Sequence, residues 1–287
     1  MAVEAQLAFG VTNGIVWGLT VALMASGLTL ILGLIGIVNI AHGEFYMLGA
    51  VAAWFTLAST GNFWLVLVIA PVVVGVLGMG LERLVLRPIE HRPLATVVAT
   101  VGILLIIQQA TLAAFGGSPR QVPEPVEFTL SLFGYGYPGY RLVAATLAAV
   151  ILTLVWMLLH RTALGLRIRA AEQNRELALA HGIRVSRMYL YTFAIGVALA
   201  ALGGAVASPI VTVHFLMGLD VLVVSFMVVI VGGLGSLRGA VTVALLVGVL
   251  EGVSAVFLTP AEARIFTFLV LAAMVILRAK GPLGEKR

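Results

Sequence analysis

Apolar sequence runs through this chain in stretches long enough to cross a bilayer, with only short breaks between most of them. A helix spans the hydrocarbon core with about 20 apolar residues, and candidates fall near 10–33, 40–59, 63–82, 94–115, 142–159, 188–211, 219–233, 239–258 and 263–279. The chain is 61% hydrophobic and 10% charged, too little charge to clothe a soluble domain of 287 residues. The expected fold is therefore all-α, one polytopic transmembrane domain over 1–287 with eight or nine spans.

One large polar segment interrupts this pattern. Residues 161–187 carry Arg161, Arg167, Arg169, Arg175, Arg184 and Arg187. Their middle, 169–181, reads as a short amphipathic helix stopped by Gly182. With the N-terminus outside, alternation puts these six, Arg83, Arg87, Arg92, Arg238, Arg278, Lys280, Lys286 and Arg287 inside, which is 14 of the 17 basic residues. Only Arg120, Arg141 and Arg264 fall outside. The excess of inside Lys and Arg selects this orientation, with a cytoplasmic C-terminus, a cytoplasmic 161–187 loop and an external 116–140 loop.

Two apolar runs contain breaks too short for ordinary loops. Asn39, Ile40, Ala41, His42, Gly43 and Glu44 interrupt 10–58, and 219–258 is interrupted by a run including Gly232, Gly233, Gly235 and Gly239. The alternatives are tight cytoplasmic turns or broken, re-entrant helices. Irregular backbone at membrane depth needs protein or a wet cavity around it, and broken helices mark substrate routes in transporters.

The 116–140 loop is stiffened by Pro119, Pro123, Pro125 and Pro138. Its Phe128, Phe133, Tyr135, Tyr137 and Tyr140 suit either a docking surface for an external partner or a lid at the headgroups. Gly10, Gly14 and Gly18, with Gly248 and Gly252, recur at four-residue spacing and read as close helix packing within the chain.

Motifs for chemistry are lacking. There is no Gly-Lys pair, hence no P-loop; no His-Glu-x-x-His; and no cysteine. The ionisable residues at membrane depth are Glu44, Asp220 and Glu251, with His42 and His214 nearby. Glu44 suits a helix N-terminus, and Asp220 suits the cap of a span beginning at 221. Glu251, in mid-span, suits a pathway or interhelical role. Gln108 and Gln109 read as interhelical glue.

Three stretches carry a family resemblance. GLTLILGLIGIVNIAHGEFYMLG (27–49), LRIRAAEQNRELALAHG (166–182) and VVIVGGLGSLRG (228–239) resemble the branched-chain amino acid ABC importer permeases, H-type subunit. The resemblance implies a second permease (an M-type homologue or a second copy), two cytoplasmic ATPase subunits that hold ATP and Mg, and a periplasmic substrate-binding protein. No cofactor is expected in this chain, which is expected to be no enzyme itself. The implied location is a bacterial or archaeal cytoplasmic (inner) membrane. The 169–182 helix becomes the ATPase-coupling element, with Arg169, Ala170, Ala171, Glu172, Arg175 and Gly182 as its candidate residues. Here Glu follows the two alanines and no Leu-Pro closes the motif, a departure from the general importer pattern.

The expected substrate is a branched-chain or other neutral amino acid, or, within the same class, urea, a short amide or another small solute. The expected route passes Asn39, His42, Glu44, Asp220 and Glu251. A rival reading is an ion-coupled secondary carrier that uses Glu44, Asp220 and Glu251 as a relay.

Overall fold

The computed structural model describes residues 3–132 and 134–280; Phe133, Lys286 and Arg287 lie outside the described residues. The chain is a helical bundle, as expected, with one small β-hairpin added. Six described helices are long and apolar enough to cross a membrane.

Helix α1 (Val3–Ile35) is the central post. Its 33 residues rise about 50 Å at 1.5 Å each, and most of its apolar length is buried. It packs against α5 (Gly139–Arg161), α8 (Val185–Ala207), α9 (Met217–Gly232) and α10 (Leu237–Ser254). Small residues let α1 and α10 touch backbone to backbone. A Cβ at Gly14 would fall 2.4 Å from the Gly248 carbonyl oxygen, and one at Gly10 2.6 Å from that of Gly252. The glycine repeats are thus the seam between these two helices.

Peripheral helices have the opposite character. The Phe63–Ile89 span, which contains α3 (Val66–Leu81), and α4 (Pro93–Phe115) are each only 28% buried. Val68, Val72, Val73, Leu94 and Ile106 point outward, a surface suited to lipid.

One end of the bundle, the loop face, carries α6 (Ala163–Gln173) and α7 (Arg175–Ala180). The expected single helix over 169–181 is two. Asn174 ends α6 and caps α7, its Oδ1 accepting from the Leu177 N–H at 2.9 Å. Gly182, at φ +76°, closes α7. The Ile183 N–H reaches the Ala178 carbonyl and the Gly182 N–H the Leu179 carbonyl, a Schellman motif.

The other end, the hairpin face, holds β1 (Thr129–Leu132) paired antiparallel with β2 (Tyr135–Pro138). Tyr137 is buried against Phe9, and Tyr140 donates to the Val206 carbonyl at 2.9 Å. These two aromatics seal the bundle; Phe128 and Tyr135 remain exposed. Arg120 lies 4.1 Å over Trp54 and 4.6 Å over Phe115, and its backbone bridges to Val213.

Re-entry occurs at two places. Gly36, at φ +71°, ends α1, and residues 36–41 climb back into the bundle before α2 (His42–Thr60) begins. His42 Nε2 lies 3.2 Å from the Met24 carbonyl oxygen. Met24 is 11 residues, or about 16 Å, short of the end of α1. The Ile40 N–H donates to Thr100 Oγ1, seven residues into α4. Helix α2 therefore starts well inside the bundle.

The second re-entry is displaced from its expected place. The run 232–239 is a loop-face turn: Gly233 (φ +98°) and Gly235 (φ +78°) reverse the chain, and Ser236 caps α10. Instead the chain re-enters through 208–216, and α9 starts beside Gly43 inside the bundle. With 16 residues, about 24 Å, α9 is too short to cross alone. Asp220 correspondingly sits within the first turn of α9, which begins at Met217, and does not cap a helix at 221.

Candidate functional site

The expected site residues occupy three levels of the bundle. At the loop face, α6 turns off α5 through a tight elbow. Gly165 is pressed against the Leu158 and Leu159 carbonyls, and Thr162 accepts the Gly165 N–H at 3.2 Å. Gly165, Ile168 and Ala171, spaced three apart, form the buried stripe of α6. Leu166, Leu177 and Leu179 face outward at 61, 58 and 53% exposure, uncovered by this chain.

Glu172 joins two groups that the sequence left separate. Its carboxylate lies against Gly33, at the end of α1, and Gly235, in the α9–α10 turn. A Cβ would fall 2.6 Å from Glu172 Oε1 at Gly33 and 2.3 Å at Gly235. The Gly235 N–H donates to Thr29 Oγ1 at 3.1 Å, fixing the turn to α1. Burial raises the Glu172 carboxyl above the usual carboxylate range, opposed by nearby Arg169. Arg169 keeps its buried Nε unpartnered among the described residues. Arg175 pairs with Glu90 at 3.2 Å and lies 5.6 Å over Tyr189, tying α7 to the α3–α4 connection.

At the middle level the N-termini of α2 and α9 meet. A Cβ on Gly43 would fall 2.3 Å from the Gly218 carbonyl oxygen, and one on Gly218 2.6 Å from that of Gly43. Gly43 thus serves close approach, while the break itself turns at Gly36. Asn39, His42 and Glu44 are almost wholly buried around this junction. Gln108 Nε2 donates to Glu44 Oε1 at 3.0 Å, whereas Gln109 is exposed. Asn39 Nδ2, His42 Nδ1 and Glu44 Oε2 have no hydrogen-bond partner among the described residues.

Asp220, two residues past Gly218 in the first turn of α9, has a side chain 59% exposed and lies 3.8 Å from His214. The third level is the hairpin face. Glu251, in the last turns of α10, accepts from Trp17 Nε1 at 3.2 Å and lies 3.6 Å from Arg264 of α11 (Pro260–Lys280). It faces a half-open cavity of about 290 Å³. Asn13, Tyr137 and Arg141 gather beside it: Asn13 Oδ1 accepts from Tyr137 at 2.9 Å and from Arg141 at 2.5 Å. Sequence reasoning missed this trio. Its one signal was Arg141 standing among the three basic residues on the wrong side of the charge count.

Glu44, Asp220 and Glu251 have different partners, and no hydrogen bond or ion pair joins them among the described residues. No group of three His, Cys, Asp or Glu suited to a metal occurs among the described residues either.

Apolar spans, re-entrant helices and an outward-facing helix pair define a multi-pass membrane transport subunit. The chain belongs to the family described as "Branched-chain amino acid transport system / permease component", which matches residues 10–277. It is 28% identical to the high-affinity branched-chain amino acid transport system permease protein LivH of Escherichia coli K12, over 95% of this chain and 94% of that protein. It is 26% identical, with the same coverage, to the corresponding permease protein BraD of Pseudomonas aeruginosa. It is also 28% identical to the fructose import permease protein FruF of Bifidobacterium longum, over 77% of this chain and 62% of that protein. No solved structure matches it. The chain is thus the permease of an ABC-type importer.

Proposed function

We propose that this permease moves branched-chain or other neutral amino acids inward across a bacterial or archaeal cytoplasmic membrane. The whole chain forms one permease unit, with its N-terminus outside and the loop face in the cytoplasm. It works beside a second permease, an M-type homologue or a second copy. Two ATPase subunits supply ATP and Mg chemistry, and a binding protein delivers substrate at the hairpin face. The relatives that span nearly the whole chain support the substrate class.

The observation that carries the mechanism is Glu172 seated on Gly33 and Gly235. Leu166, Leu177 and Leu179 present an uncovered apolar surface on α6 and α7, suited to a groove in an ATPase. A push there passes through Glu172 to the α9–α10 turn, along α9, and into its junction with α2. Access then switches as the two re-entrant helices shift against α1. The carboxylates' separate partnerships argue against an ion-driven relay through Glu44, Asp220 and Glu251.

The test is purification of the chain from its native membrane in mild detergent, with identification of what accompanies it. P-loop ATPases and a second permease are the expected companions. A chain recovered alone that moves solute under an ion gradient overturns the proposal.

A further inference from the structure

We propose that the hairpin-face cavity is a recognition site for a zwitterionic α-amino acid, with Arg141 and Asn13 addressing its carboxylate and Glu251 its ammonium group. This rests on the amino-acid reading of the permease. At about 290 Å³ the cavity lies at the small end of small-molecule sites, which run from roughly 300 to 1,000 Å³. It has room for one solute of amino-acid size and little more.

The charges are arranged for two opposite groups on one small molecule. Asn13 and Trp17 are four residues apart on α1, hence on one face about one 5.4 Å turn apart. Asn13 holds Arg141 and Trp17 holds Glu251, so a cation and an anion face the same space from neighbouring turns. Glu251 has a partial counter-ion in Arg264, at 3.6 Å. Arg141 has no carboxylate within ion-pair distance among the described residues; its guanidinium meets the Asn13 amide oxygen and the Tyr137 hydroxyl. A cation in a half-enclosed site with no carboxylate paired to it favours a ligand that supplies one. Asn13 Oδ1 is already filled by Arg141 and Tyr137, which leaves its amide N–H groups as further donors to a carboxylate.

Apart from Thr20, the remaining walls are apolar. Val16, Ala207, Ile210 and Val211 line the cavity together with the Trp17 ring, a surface for an aliphatic side chain. Two of the three arginines on the nominally wrong side of the membrane, Arg141 and Arg264, therefore converge on one cavity.

The test is equilibrium binding of tritiated leucine to the complete importer complex in nanodiscs, with the binding protein left out. Saturable binding is expected, with isoamylamine and isocaproate, which carry one charge each, competing at least about ten-fold more weakly than leucine. Glu251→Gln and Arg141→Gln should each weaken binding by about ten-fold or more, the scale of one lost charge-assisted hydrogen bond. Ile210→Trp fills the cavity without touching its charges and should abolish binding, so the idea stays testable if a charge variant fails to assemble. Absence of saturable binding, or binding unmoved in the variants that assemble, overturns the proposal. Uptake with the binding protein restored separates the two readings. Leucine uptake by a complex whose cavity variants bind like wild type sinks this inference alone; uptake of a sugar in place of amino acids sinks both.

Discussion

Two polar centres lie within this largely apolar bundle, and they are built in opposite ways. At the α2–α9 junction, Asn39, His42 and Glu44 are sealed in protein, and the two backbones touch at Gly43 and Gly218. At the hairpin face, Glu251 and Arg141 line a half-open cavity. Polar groups at membrane depth thus serve either to let broken helices meet or to meet something that comes and goes. The first kind tolerates no added atom, and the second has space for a solute.

The sharpest way to break this contrast is to add bulk at the junction. Gly43→Val places methyl groups where even a Cβ falls 2.3 Å from the Gly218 carbonyl oxygen. The Gly218 carbonyl is backbone and cannot rotate away, and Leu222 Cβ crowds the same point at 3.0 Å. Overpacking typically costs about 1–3 kcal/mol and sometimes more. That corresponds to a melting temperature lowered by roughly 2–12 °C, or to a protein that fails to accumulate. Thermal unfolding followed by fluorescence-detected size exclusion reads this directly. A variant melting within about 2 °C of wild type would show that the junction is looser than its geometry implies.

Next in size is the link between α6 and α7, the proposed coupling element, and the re-entrant α9. Gly235→Ala forces a side chain onto a residue at φ +78° and into the Glu172 carboxylate. Glu172→Ala removes the contact from the other side. In reconstituted complexes, both should lower transport by about ten-fold, on the scale of one lost polar contact, while ATP hydrolysis continues. Gly182→Ala, which strains the Schellman motif closing α7, should uncouple to a lesser degree. Transport per ATP unchanged in all three would remove Glu172 from the transmission path.

A smaller effect separates the two polar centres by function. Glu44→Gln retains an oxygen that can accept from Gln108, so the apparent affinity for leucine should stay within about two-fold, well under one hydrogen bond's worth. Glu251→Gln, facing the cavity, should shift it by about ten-fold. Equal shifts in uptake kinetics would mean that the junction also meets substrate.

Much of this was legible in the sequence. Apolar length located the helices, although only six described ones, against the eight or nine expected spans, are long and apolar enough to cross; the glycine repeats located the α1–α10 seam, because both depend on local composition. The two breaks were harder. Gly232, Gly233 and Gly235 advertise an interruption but make only a loop-face turn, since glycine marks reversals at any depth. The actual second re-entry, 208–216, contains Pro209 amid apolar residues and looks like the end of a span. Glu172 was visible as part of the coupling element, but its seat on Gly33 and Gly235 joins residues far apart in the chain. Asn13 was likewise invisible, because a single polar residue in a span gains meaning only from what faces it; Tyr137 stood out as a loop aromatic but not as the partner of Asn13.

The smallest expected effect concerns pH, and it tests whether Glu172 is held or merely adjacent. Burial raises its carboxyl above the usual range when α6 is docked, with Arg169 opposing. Docking therefore favours the protonated form. Its contribution is complete below the ordinary carboxylate pKa and is lost as pH rises through the raised value. Amide exchange in α6 and the α9–α10 turn, corrected for its intrinsic pH dependence, should accelerate modestly across that window. Glu172→Gln, neutral and similar in shape, should flatten the response while keeping the contact. An identical slope in wild type and variant would assign the effect elsewhere. A flattened slope would assign the effect to Glu172: as pH rises through the raised range the carboxylate gains its charge and its seat weakens, so a partner pressing on α6 dislodges it with less work.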